Sequence, residues 1–462
     1  MARMSWEESS SGYDGIVTHA FYVCVVTFVS MGSQPLRTFA GVVGLVGLVA
    51  AAGCGTGSST SSEPASDAPV VDGGAGGTPG KCPGTTPSPS TPGVEPAVAT
   101  GLVVPQGFVI ERIAQVPAAR ELAALPNGDL LVATNGATVY VVPNAENAGG
   151  AGSPVVFATV NDAPTQGVAF DAVTCTVFFG AQHGVYSASY EDGAVSVNPS
   201  KIASVRTGPV APNSDGDVHS TTSVAVAKGV LYASVGSSCN ACTEADGTRA
   251  VILQMGLDGS NVQTKATRIR NAIALTTNTD TGTLWAGNAG QDDLPKGHPY
   301  EFFDAVTLHP GVADYGWPEC EENQVPYVPG ADCAETVVPR VEFPAYSTLI
   351  GAAHYSPSHA GAHAFPSAQR GFFVAAHGSW HKANGVYSAP PFVALVPMNG
   401  DDPVTPVDWT NPSTQWSQFV GGFQSADGTS RSARPTGLAV GPAGSLFIAD
   451  DQNGLVYRVR PQ

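Results

Sequence analysis

Charged side chains are scarce in this chain of 462 residues, 13% against about a quarter in an average soluble domain. That shortage excludes a long solvated-helix protein. Basic residues are scarcer still: 20 Lys and Arg face 38 Asp and Glu, a formal charge of −18. Such a surface repels a phosphate backbone and offers no basic patch, so nucleic acid is not an expected partner. The acidity is compatible with a merely soluble surface, and equally with carboxylates that serve a hard cation such as calcium. What the chain has in abundance is glycine and proline, 54 and 37 residues. Together they make up roughly a fifth of the chain, above the usual share of about 12% and below the 25–30% at which folding fails. Helices tolerate them poorly and short strands joined by turns require them, which excludes a helical bundle and favours an all-β fold.

Two apolar runs precede any globular pattern. The second, Phe39 to Gly53, is shorter than the ~20 residues of a membrane-spanning helix and has the length of a signal-peptide core. Met31 and Arg37 before it supply a start and a thin positive flank, and Ala51-Ala52-Gly53-Cys54 follows it. The arrangement resembles a bacterial lipoprotein signal with Ala51 in place of the usual leucine. It implies residues 1–53 as a signal region with its true start at Met31, export to the cell envelope, and attachment to the membrane through a lipid on Cys54. Cleavage by a general signal peptidase, or an anchor around Ile16 to Val29 interrupted by His19, are the other readings. Residues 54–100 are dominated by Ser, Thr, Gly, Pro and Ala and are expected to form a flexible tether, leaving 101–462 to fold.

Beyond Cys54 stand six cysteines, an even number suited to an oxidising compartment. Fifteen pairings are open. Cys239 with Cys242 and Cys320 with Cys333 are the economical local pairs, which leaves Cys82 for Cys175. The Cys239-Asn240-Ala241-Cys242 segment could also be a redox motif or half a zinc site, but no second such pair exists in the chain.

From Val103 onward one phrase recurs: a turn with Gly or Asp, then two or three large apolar residues, then small ones. It is read at Gly128 to Ala133, Thr176 to Gly180, Gly229 to Ala233, Gly282 to Ala286, Gly371 to Ala375 and Gly444 to Ala449. A second strand follows at Val139 to Val142 and at Leu455 to Val459. Repetition at roughly fifty residues, with longer gaps as insertions, predicts a six-bladed β-propeller with a central channel. A β-sandwich is the competing architecture.

Polar clusters flank these phrases: Gly216-Asp217-Val218-His219, Arg268-Ile269-Arg270-Asn271, Asn288-Ala289-Gly290-Gln291-Asp292-Asp293, His377-Gly378-Ser379-Trp380 and Arg434-Pro435-Thr436-Gly437. With Asp314-Tyr315-Gly316-Trp317-Pro318, Ala119-Arg120 and the Val235 to Cys242 segment, they resemble the soluble pyrroloquinoline-quinone (PQQ) sugar dehydrogenases, in particular the glucose/sorbosone dehydrogenase branch. The resemblance covers about residues 103–460. It implies hydride transfer from a sugar hydroxyl or hydrated aldehyde to a bound quinone, with a downstream electron acceptor. His219 is then the general base, for which an ordinary pKa near 6.5 is apt. Arg270 faces the quinone oxygen where negative charge grows. Arg120, Asn271, His377, Trp380 and Arg434 would contact the cofactor, Arg434 by a charge-assisted fork to a carboxylate. Calcium would sit on the carbonyls of Gly290 and Gln291, with Asp292, Asp293 and Glu301 as nearby acids.

The chain departs from that pattern in three places. Ser432 stands where a second arginine is expected, Gln291 replaces a proline, and His381-Lys382 replaces Asn-Arg. A fold of this kind with a weakened cofactor site would be a non-catalytic propeller that binds carbohydrate or protein. A calcium-dependent sugar lactonase is a third reading, which requires a Glu-Asn-Asp ligand set in the channel. Each polar residue named also has a plain role open to it: a loop histidine, a surface ion pair, a solvated acidic loop.

Overall fold

The computed structural model describes residues 82–462, apart from residues 213, 215, 217, 295 and 296. The expected signal region, Cys54 and the first part of the expected tether lie outside the described residues. Among the described residues no helix is long and apolar enough to cross a membrane.

The chain forms a six-bladed propeller. Blades 1 to 3 are four-stranded antiparallel meanders that begin at Ala119–Ala124, Gly167–Asp171 and Thr222–Ala227, the third extended by the short parallel strand Ala313–Asp314. Blade 4 begins at Ala274–Thr277 and blade 5 at Leu349–Tyr355. Blade 6 takes Pro435–Val440, Leu446–Asp450 and Leu455–Pro461 from the end of the chain, and its fourth strand, Phe108–Gln115, comes from ahead of blade 1. That pairing runs from Phe108 opposite Pro461 to Gln115 opposite Leu455 and closes the ring. The first strand of each blade lies innermost, against those of its two neighbours.

All six copies of the recurring phrase fall on the second strand of a blade: Leu130–Thr134, Thr176–Ala181, Val230–Val235, Leu284–Asn288, Gly371–Ala376 and Leu446–Asp450. These strands are covered on both faces, so they read as continuous apolar runs instead of alternating ones. Large aromatic side chains wedge the blades apart at the periphery. Trp285, Phe303 and Phe372 meet between blades 4 and 5, with ring centroids 4.9 to 5.1 Å apart. Phe108, Phe365, Phe373 and Phe419 do the same between blades 5 and 6. Burying each such ring is worth about 2 kcal/mol or more. Near the axis the packing is tighter: a Cβ on Gly180 would collide with the carbonyl of Thr222 in the next blade. The wider gaps between later phrases are insertions, notably residues 305–340 in blade 4 and 377–391 in blade 5.

The expected tether differs over its final stretch. Residues 82–100 are packed against blades 1, 2 and 6. Cys82 is joined to Cys175, Ser88 is buried with its hydroxyl on Asp129 at 2.5 Å, and Ala97–Val98 pairs with Glu111 and Arg112. Small polar residues cannot build a core, but a disulfide and backbone pairing hold them on one already built. Cys239 with Cys242 and Cys320 with Cys333 form the other two disulfides.

Candidate functional site

In every blade the start of the first strand and the end of the second lie at the same mouth of the channel, because the two strands are antiparallel neighbours. The flanking polar clusters therefore gather at that mouth, in loops that the strand ends aim inward. The cavity of about 490 Å3 that fills the channel opens at the other mouth, lined there by Leu125, Pro126, Thr277, Ser356 and Pro442. Glu121 lies where the two regions meet.

His219 precedes blade 3. Its Nδ1 lies 3.0 Å from the Ser237 carbonyl and 2.9 Å from Ser237 Oγ, whose own proton goes to the Cys239 carbonyl at 2.7 Å. A carbonyl only accepts, so Nδ1 carries the proton and Nε2 keeps a lone pair. Burial, and then the positive charge of Arg270, hold the ring well below the usual histidine pKa. The ring is thus neutral at neutral pH. Buried Arg206 fixes the loop by donating to the carbonyls of His219 at 2.9 Å and Thr221 at 2.7 Å.

Arg270 is buried ahead of blade 4. It donates to the Asn240 carbonyl at 3.0 Å, to Asn240 Oδ1 at 3.0 Å, and to the carbonyls of Ala289 at 3.1 Å and Gly290 at 2.8 Å. Asp292 lies 3.6 Å from its Nη2, and His381 Nε2 lies 3.1 Å from the other Asp292 oxygen. Asn271 donates its backbone N–H to Asn288 Oδ1 at 2.9 Å. Gly236 lets this group close up: a Cβ there would stand 2.5 Å from His219 Cβ and 2.6 Å from Asn271 Oδ1.

Around the mouth, Arg434 donates to the carbonyls of His377 at 3.1 Å and Gly378 at 2.9 Å. His377 Nε2 and Arg120 Nη1 meet opposite oxygens of Asp451, at 3.0 and 2.8 Å. Burial lowers the His377 pKa to about 4. Burial alone would raise Asp451, but the hydrogen bond and the neighbouring cations bring it to about 2. Gln166 of blade 2 bridges the remaining gap, accepting the Thr221 hydroxyl and donating to Asn135 Oδ1 at 2.5 Å.

The structure thus brings His219, Arg270 and Asn271 together with Gly290 and Asp292, and gathers Arg120, His377 and Arg434 across the mouth from them. Trp380 is 69% exposed, its ring lying against His381 at the rim. Asp293 is exposed, and Glu301 turns away: its Oε2 accepts the backbone N–H of Leu349 at 3.1 Å, at the junction of blades 4 and 5. Burial raises the Glu301 carboxyl to about 8.

Several contributors escaped sequence reasoning. Arg431 stacks on Tyr387 at 3.7 Å and its charge interacts with Arg434, so a second guanidinium stands one residue from Ser432. Asp451 follows the sixth phrase just as His377 follows the fifth, a positional parallel that would have found it. Glu321 is buried behind the Gly290–Gln291 turn, accepting the Gln291 N–H at 3.2 Å, and its Oε1 has no hydrogen-bond partner among the described residues. Burial raises it to about 7. Arg268, from the cluster that holds Arg270, forms a fork with Asp314 at 2.8 and 3.0 Å and shapes the insertion of blade 4. Cys239, Cys242 and Glu244 lie close together; the two sulfurs are bonded to each other and Glu244 is engaged by Ser238.

These features define a propeller with a polar, charge-divided mouth, and comparison gives it relatives. Residues 314–462 match the TrAA12-like family, which bears out over that stretch the resemblance read from the sequence. The holo PQQ domain of a pyranose dehydrogenase from Coprinopsis cinerea superimposes with a TM-score of 0.62 at 17% identity, over 80% of this chain and 98% of that one. A calcium structure of a Trichoderma reesei carbohydrate-active enzyme of family AA12 gives 0.60 at 17% identity, over 82% and 100%. The soluble aldose sugar dehydrogenase of Escherichia coli, in its apo form, gives 0.52 at 17% identity, over 77% and 100%. These likenesses establish the six-bladed fold. No curated protein sequence matches the chain.

Proposed function

We propose that this protein is an exported sugar dehydrogenase that passes hydride from a sugar hydroxyl or hydrated aldehyde to pyrroloquinoline quinone, with calcium as a second cofactor. The observation that carries the reading is the tautomer of His219: a neutral ring with its proton committed to Ser237 and an Nε2 lone pair left over, beside a buried guanidinium.

The mouth fits both groups in charge. On one side Arg120, Arg431 and Arg434 outnumber Asp450 and Asp451, and Arg434 Nη1 makes no hydrogen bond among the described residues. That surplus suits the carboxylates of the quinone. On the other side stands the Asp292 carboxylate, and one oxygen of buried Glu321, behind the Gly290–Gln291 turn, has no hydrogen-bond partner among the described residues. Oxygen donors of this kind suit a hard cation beside that turn. When bound, the quinone accepts the hydride and calcium polarises it. The chain's own residues then divide the remaining work. His219 Nε2 takes the hydroxyl proton, Arg270 keeps a fixed positive charge where negative charge develops, and Asn271 and Gly236 set the approach between them.

The supporting experiment is reconstitution of the purified protein with the quinone and calcium, followed by dye reduction with aldoses and sorbosone. Absence of both quinone binding and dye reduction sinks the proposal and leaves a binding propeller. Three disulfides support export to an oxidising compartment. Anchoring at Cys54 is tested by radiolabelled palmitate, whose incorporation should vanish in Cys54→Ser.

A further inference from the structure

The loop closed by Cys239 and Cys242 has no chemical part in the reaction above, yet it touches both groups that do. The Cys239 carbonyl takes the Ser237 hydroxyl proton at 2.7 Å, which leaves Ser237 Oγ free only to accept, and His219 Nδ1 approaches it at 2.9 Å. The next residue, Asn240, uses every polar atom of its side chain and its carbonyl. The carbonyl accepts Arg270 Nε at 3.0 Å and Trp317 Nε1 at 3.1 Å. Oδ1 accepts Arg270 Nη2 at 3.0 Å and the Asp292 N–H at 2.8 Å, and Nδ2 donates to the Asp292 carbonyl at 3.1 Å. Behind the disulfide, Glu244 accepts the Ser238 N–H at 2.5 Å and its hydroxyl at 2.8 Å.

We propose that the Cys239–Cys242 loop is a clamp that fixes His219 and Arg270 in one geometry, with Asn240 the positioning residue for Arg270. This rests on the proposed function for its effect on turnover, and on the hydrogen bonds alone for its effect on the two side chains. A turn of four residues has little freedom once its ends are covalently joined, so the Asn240 carbonyl is held on Arg270 without a strand to hold it. Opened, the turn must order itself at each encounter. A displacement of about 1 Å at a catalytic group costs about 100-fold in rate.

The test compares wild type with Asn240→Ala, Asn240→Asp and the Cys239→Ser/Cys242→Ser pair, with Cys82→Ser/Cys175→Ser as a control remote from the mouth. Two quantities are read: kcat and KM with the quinone and calcium, and the ring nitrogens of 15N-histidine-labelled protein without either cofactor, with the His219 signals identified by their loss in His219→Gln. The clamp predicts that Asn240→Ala and the Cys239/Cys242 pair lower kcat by 10- to 100-fold with KM changed less than about 3-fold. Asn240→Asp, which keeps the Oδ1 acceptor, should recover part of that loss. The Cys239/Cys242 pair should also shift His219 from the single Nδ1–H tautomer to a mixture, while the Cys82/Cys175 pair lowers the melting temperature and leaves both readings alone. A folded Cys239/Cys242 variant with unaltered kcat and an unaltered His219 tautomer overturns the clamp. If wild type itself oxidises no sugar, the proposed function fails while the tautomer signal still decides whether the loop holds His219.

Discussion

Arg458 Nη2 donates to Glu111 Oε2 at 2.9 Å, joining the last strand of the chain to the strand that precedes blade 1. Arg458 is wholly buried, its Nη1 held by the carbonyls of Ala145 and Asn147 at 2.9 and 2.6 Å, and Arg460 adds a second fork to the same carboxylate. The ring is thus sealed by a charge pair as well as by backbone pairing. Removing the carboxylate in Glu111→Ala leaves a buried guanidinium uncompensated and should cost about 3–5 kcal/mol in denaturant melts. Burial works to raise the Glu111 pKa, but the two arginines prevail and lower it. A lowered carboxylate contributes stability that is complete above the unfolded value of about 4.3 and is lost as pH falls through the folded one. Wild type should therefore lose stability below about pH 4 more steeply than Glu111→Gln.

Glu121 behaves in the opposite sense. It reaches from blade 1 into the channel, accepts the Ser223 hydroxyl from blade 3, and is raised to about 8 by burial. A raised carboxyl is stabilising below its unfolded pKa, and that contribution drains away as pH rises toward the folded value. Glu121→Gln imitates the protonated form, so its stability relative to wild type should grow by more than about 1 kcal/mol between pH 5 and pH 8 and level off beyond. Parallel urea melts at four pH values check this. A constant difference would show that Glu121 is ionised throughout.

His219→Gln should lower kcat by roughly 100- to 10,000-fold, the span of general base catalysis. Because the ring's pKa lies well below 6.5, kcat/KM for the quinone-loaded protein should be flat around pH 7 and fall only on the acid side. Arg270 is the second cause of that lowering, after burial. In Arg270→Gln the His219 pKa should therefore move upward, measurable by NMR titration with no turnover required.

Gly236→Ala should abolish most activity and cost about 1–3 kcal/mol of stability. The added Cβ meets His219 Cβ and Asn271 Oδ1 at 2.5 and 2.6 Å, at a buried position, and Arg206 holds the His219 loop in place. Circular dichroism and dye reduction on the same preparation separate a misplaced site from a misfolded chain.

The Cys82–Cys175 disulfide spans 93 residues. By loop-closure entropy it is worth about 4–5 kcal/mol. Cys82→Ser/Cys175→Ser should melt markedly lower and expose the segment around Ser88 to proteolysis, read by mass spectrometry of the first fragments released.

By itself the amino-acid sequence determined the all-β class, the six blades and the phase of each, because the second strand of a blade is covered on both faces and must be apolar wherever it recurs. It also marked the candidate loops, since His219, Arg270 and Arg434 precede the first strand of a blade and His377 follows the second strand of one. Tertiary structure alone decided how these residues are divided around the mouth. Their contacts join loops tens to hundreds of residues apart, as with Arg120 and Asp451, and no local pattern encodes them. It also decided that Glu301 faces Leu349 at a blade junction, that Arg431 stands beside Arg434, and that residues 82–100 are folded, held by a disulfide and paired backbone where composition alone reads as tether. The scarcity of charge has its physical reason there too: most strands are enclosed, and an enclosed strand has little room for charge.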